Sequence, residues 1–118
     1  MTRDDVLERC LALPGALEDS PFGDDVAVCK VGGKMFALVL LSVEEGSVNL
    51  KCEPDWALEL REIHQAVLPG YHSNKRHGNT VVLDGTLDDA DLDEMIRHSY
   101  DLVVRGLPRR ARDALGHP

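Results

Sequence analysis

Between residues 26 and 52 the apolar residues fall in short blocks divided by tight-turn signals, and this pattern leaves few folds open. VAVCKV (residues 26–31) runs into Gly32–Gly33, KMFALVLL (34–41) follows, and Glu44–Glu45–Gly46 turns the chain again. SVNLKC (47–52) then alternates, with Val48, Leu50 and Cys52 on one side and Ser47, Asn49 and Lys51 on the other. A period of two beside paired glycines predicts three antiparallel strands joined by short turns. Lys51 is expected on the open face or at the sheet edge.

Helical patterns flank this block. Thr2 with Asp5 is a capping-box pair, and Val6, Leu7, Cys10 and Leu11 form an apolar stripe that Pro14–Gly15 stops. Residues 16–25, with Pro21, Phe22 and Gly23, read as a loop. Pro54 suits the first turn of a second helix, on which Trp56, Leu60 and Ile63 share a face. A short strand before Pro69–Gly70 and a further strand in NTVVLDG (79–85) follow. Thr86 or Asp88 caps the last helix, whose stripe is Leu92, Met95, Ile96, Leu102 and Val103; Gly106 and Pro108 end it. The reading is a single α+β domain over residues 1–118, an antiparallel sheet of four to five strands packed against helices. Residues 107–118 form a short, basic, frayed tail.

Charge narrows the function. Acids outnumber bases 21 to 13, a formal net charge of −8, which opposes general affinity for nucleic acid or anionic membranes. A local basic site survives this, because acids beyond a Debye length of ~8 Å are largely screened. The acids concentrate in residues 1–25 and 84–101, whereas residues 66–83, AVLPGYHSNKRHGNTVVL, contain none. No apolar run approaches the ~20 residues of a membrane span, and the charged N-terminus has no hydrophobic signal region. The expected location is the cytoplasm, and the expected state a monomer. Cys10, Cys29 and Cys52, without a CxxC, read as small buried side chains rather than a disulfide framework or zinc knuckle.

The acid-free segment is the candidate site. Tyr71, His72, Ser73, Asn74, Lys75, Arg76, His77 and Asn79 are a dense run of donors between two apolar strands. Lys75 and Arg76 supply charge and the amides and hydroxyl supply positioning, as an anion cradle needs. The plainer reading is a solvated turn whose polar groups bond their own backbone. His72 and His77 lack the further ligands of a zinc site, and no nucleophile is marked beside them. VGGK (31–34) lacks the P-loop spacing, and the acids at 88–94 fit a helix N-terminus better than a calcium loop. No metal, cofactor or catalytic residue is expected.

The ordered motifs resemble the MmcQ/YjbR family: Pro14–Gly15, PFG (21–23), KVGGKMFAL (30–38), LKCEP (50–54), PGYHSNKRH (69–77), NTVVLDG and SYDLV (99–103). The resemblance covers residues 4–107. It implies a CyaY-like α+β arrangement with two hairpin wings, which underlies the family's description as predicted DNA-binding proteins. Carried over by position, it marks Lys30, Lys34, Lys51, Tyr71, His72, Asn74, Lys75 and His77. One departure is Gly78, where the family pattern commonly has Trp, which removes an aromatic able to stack on a base. With Arg76 added from the loop itself, the leading expectation is a non-enzymatic module that binds DNA weakly and salt-sensitively through phosphates. A protein-interaction or small-anion-binding domain is the alternative.

Overall fold

The computed structural model describes residues 1–21, 23–42, 44–70 and 78–115. In chain order the elements are α1 (Arg3–Leu11), β1 (Leu17–Asp19), β2 (Val26–Val31), β3 (Lys34–Leu40), β4 (Ser47–Lys51), α2 (Pro54–Ile63), β5 (Val67–Pro69), β6 (Gly78–Val82), α3 (Asp89–Arg105) and α4 (Arg109–Ala114). The strands make one sheet, in the order β1-β2-β3-β4-β6-β5, with every pairing antiparallel. The expected α+β class and the three-strand centre are present. Among the described residues six strands form the sheet rather than four to five, because β1 forms inside the segment read as a loop. It is short and wholly exposed, so no burial pattern announces it. The tail read as frayed contains α4, and Leu115 beyond it packs against Gly15 and the core.

The helices take positions their sequences dictate. Thr2 and Asp5 exchange reciprocal hydrogen bonds, closing the capping box of α1, and Val6 and Cys10 face the core. Of the two proposed caps for α3, Asp88 holds the position. Tyr100, fully buried, meets the edge of Phe36 with ring centroids 5.4 Å apart, and its hydroxyl donates to the carbonyl of Pro14. That one side chain ties α3 to the sheet and to the end of α1.

A bulge sets the geometry at one end of β3. Cys29 pairs with Ala37 and Lys30 with Met35, so the ladder skips Phe36. Phe36 and Ala37 both enter the core as a result. The skipped residue's carbonyl accepts from the Ser99 hydroxyl at 2.5 Å, and the Ser99 Oγ in turn accepts from the Lys51 amide at 2.9 Å. Ser99 thus pins the end of β4 to the bulge. On the opposite face the row Val28, Leu38, Asn49, Thr80 is buried, and Thr80 donates to the Asn49 side chain. Asn49, expected on the polar side of its strand, is therefore an internal residue.

Candidate anion-binding end of the sheet

The register sorts the charged residues by strand end. Gly32 and Gly33, at φ 58° and 79°, make the tight turn from β2 to β3, and Lys34 is the first residue after it. Lys51 closes β4 and lies opposite Gly78, the first residue of β6. The Gly70 amide donates to the Gly78 carbonyl at 3.2 Å, so the acid-free segment leaves and re-enters the sheet beside Lys51. Tyr71, His72, Asn74, Lys75, Arg76 and His77 themselves lie outside the described residues. Leu107 packs on Gly32, which brings the C-terminus of α3 and the arginines of α4 to this end as well.

Lys34 and Lys51 line one open cleft of about 340 Å³ with Cys52, Glu53, Pro54, Leu102 and Val103. Neither lysine has a carboxylate partner among the described residues. Glu53 is answered by Arg105 at 3.9 Å. Lys30 is not part of this group. Its ammonium sits 3.0 Å from Asp19 on the edge strand, and that hydrogen bond holds the Asp19 carboxyl below the usual carboxylate range.

Beside the cleft, the Glu53 amide donates to His98 Nε2 at 3.2 Å, and the His98 ring stands edge-on to Trp56 with centroids 4.5 Å apart. Burial first of all lowers the His98 pKa below the usual value for the ring, so the neutral acceptor form is favoured. Sequence reasoning missed His98, and read Leu102 as part of the buried stripe of α3 where it lines the cleft. Their i,i+4 spacing on α3 was the available signal. Burial pushes the Cys52 thiol up to about 11, and the hydrogen bond to Cys29 followed by burial raises Cys10 well above the thiol range. The three cysteines are buried, as read from the sequence. Among the described residues no group of His, Cys, Asp and Glu is arranged to hold a metal ion, and no helix is long and apolar enough to cross a membrane.

The far end of the strands is acidic. Asp4, Asp5, Glu44, Glu45 and Asp84 surround one hollow, and Asp88, Asp89 and Asp91 surround an adjoining one with His64. Asp24 and Asp25 join this end, because the Leu41 amide bonds the Asp25 carbonyl. Arg3 is held there by the carbonyl of Leu41.

Comparison with known proteins gives a consistent picture. A family model described as YjbR matches residues 11–102. The uncharacterized protein YjbR of Escherichia coli is 39% identical over 116 residues, 98% of each chain. The uncharacterized protein YbdF of the same species is 38% identical over 90 residues, 76% of this chain and 74% of that one. Among solved structures, a Deinococcus radiodurans protein with a DUF419 domain superposes with a TM-score of 0.91 at 41% identity, over 99% of this chain and 89% of that one. A Pseudomonas syringae protein gives 0.76 at 25% identity, over 86% and 98%.

Proposed function

The chain belongs to the YjbR family, and from that premise we propose that it is a non-enzymatic DNA-binding module. It meets phosphates with the strand end that carries Lys34 and Lys51 and with Lys75 and Arg76 of the adjoining acid-free segment. The observation that carries this reading is the separation of charge along the strands. The acidic residues 44–45 and the lysine end lie at opposite ends of β3, a seven-residue strand of roughly 20 Å. That distance exceeds the Debye length of about 8 Å at physiological salt, so the excess negative charge scarcely opposes an approach at the lysine end. Ammonium groups at that end, joined in this reading by the charges of Lys75 and Arg76, position a duplex without reading its bases.

With about four phosphate contacts, log K falls against log salt with a slope of about −3.5. The test is titration of a fluorescent duplex at low salt into wild type and Lys75→Ala/Arg76→Ala. Wild type binds weakly with that slope and little sequence preference, and the variant loses affinity and about two units of slope. Equal binding by the two proteins, or none by wild type, sinks the proposal.

A further inference from the structure

The cleft beside Lys34 and Lys51 has a composition that phosphate contact alone does not require. Its walls are Pro54, Leu102 and Val103, and its floor is Cys52, whose buried thiol stays neutral. Five described cations stand beside carboxylates: Arg9 with Asp93, Lys30 with Asp19, Arg97 with Asp101, Arg105 with Glu53, Arg109 with Asp113; Arg3 and Arg61 are held by carbonyl and amide oxygens. In a chain with 21 acids to 13 bases, Lys34 and Lys51 have no carboxylate partner among the described residues and line the same largely apolar hollow.

We propose that this cleft binds a small amphipathic anion, its charged head between the Lys34 and Lys51 ammonium groups and its apolar body against Pro54, Leu102 and Val103. The dimensions fit. At about 30 Å³ per water, 340 Å³ corresponds to about eleven water-sized units, at the lower end of the range for small-molecule sites. A ligand of about ten to twelve non-hydrogen atoms fills it. A few well-placed polar groups on an apolar wall is the usual construction of such sites. The Glu53–Arg105 pair at the rim leaves the two lysines as the uncompensated charge facing the hollow.

The experiment uses the full chain labelled with ¹⁵N and titrated separately with octanoate, octan-1-ol and inorganic phosphate, in the absence of DNA. Octanoate gives saturable amide shifts at Lys51, Cys52, Leu102, Val103 and Gly106, with a Kd of about a millimolar. Octan-1-ol and phosphate each bind at least about tenfold more weakly. Lys34→Gln/Lys51→Gln, whose spectrum verifies the fold, weakens octanoate about tenfold and leaves octan-1-ol unchanged. Phosphate binding as tightly as octanoate, octan-1-ol binding as tightly as octanoate, or octanoate shifts centred elsewhere each overturns the proposal, as does no saturable shift. Because no DNA is present, this outcome is separate from the DNA titration. Either reading can fail alone.

Discussion

At the end of the sheet where β3 turns into β4, carboxylates crowd around the N-termini of α1 and α3; at the other end, Lys34 and Lys51 flank a cleft and the acid-free segment joins the ladder. The same antiparallel register produces both. Antiparallel strands bring alternate turns to alternate ends, so charges scattered through the sequence are sorted by which turn they occupy. The helices reinforce the sorting. α1 and α3 both start at the acidic end, where Asp4, Asp5, Asp89 and Asp91 complement their dipoles, and α3 finishes with Arg105 at the other. Net charge is therefore a poor guide to what this surface attracts, since it averages two ends that a partner meets one at a time.

Charge reversal tests this contrast most severely. Lys34→Glu/Lys51→Glu and Glu44→Lys/Glu45→Lys shift the formal charge by equal and opposite amounts. If the ends act separately, the first pair lowers duplex affinity at low salt by about a hundredfold, because two contacts become two repulsions. The second raises it by less than about threefold. Comparable changes of opposite sign would show that total charge governs binding and would remove the distinction between the ends. Fluorescence anisotropy at fixed salt measures both.

The rigidity of the lysine end offers the next test. Ser99 is fully buried and satisfies both the Lys51 amide and the carbonyl of bulged Phe36. Ser99→Ala leaves two buried polar groups without that partner, at a cost of about 2–3 kcal/mol. Urea denaturation reads the loss, and the Lys51 amide resonance moves with it. A variant as stable as wild type would mean that the bulge does not depend on this bridge.

The sorting of charge was only half legible in the sequence. The alternation in residues 47–52 and the paired glycines at 32–33 identified the central strands, and Thr2–Asp5 identified the start of α1. Those signals are local, because period and capping chemistry act within a few residues. The acid-free segment was legible as composition. What no local signal carried was proximity: that Lys34 shares a cleft with Lys51, that Lys30 is claimed by Asp19, and that the basic tail folds back toward Gly15. β1 went unseen because a three-residue exposed edge strand has no buried face to imprint a period. Asn49 was misplaced because the second sheet face is buried along that row.

His98 provides a smaller, pH-dependent effect beside the cleft. Its ring accepts from the Glu53 amide, and Glu53, Asp101, Glu94 and Arg105 supply the charges that act on it. The folded-state pKa lies below the ordinary value of about 6.5. The unfolded chain therefore takes up the proton first, and the contribution of His98 to stability is full above about pH 6.5 and fades as pH falls below it. In His98→Gln this part of the pH dependence disappears, as urea midpoints at pH 7.5, 6.5 and 5.5 would show. Because the chain's single tryptophan contacts the ring, a fluorescence titration of Trp56 reports the same midpoint. A midpoint above 6.5 contradicts the burial argument.

Lys30 gives the smallest expected effect and isolates what pairing does to a cation. It belongs to the same central strands as Lys34, and the sequence placed it among the phosphate contacts. Its ammonium is instead bound to Asp19, whose depressed pKa keeps the carboxylate charged at any pH above the ordinary carboxylate range of about 3.9. The pair is thus intact under all conditions suited to DNA binding, and it presents no net charge to a phosphate. Lys30→Ala should change duplex affinity by less than about twofold and leave the salt slope within about 0.3 of wild type. The urea midpoint stays close to wild type, because an exposed ion pair contributes little. Asp19→Asn is the complementary variant: it releases the ammonium and steepens the slope by about one unit if Lys30 then reaches the duplex. A Lys30→Ala protein that binds DNA as poorly as Lys34→Ala/Lys51→Ala would show that the Asp19 pair yields to phosphate, and the lysine end would extend across β2.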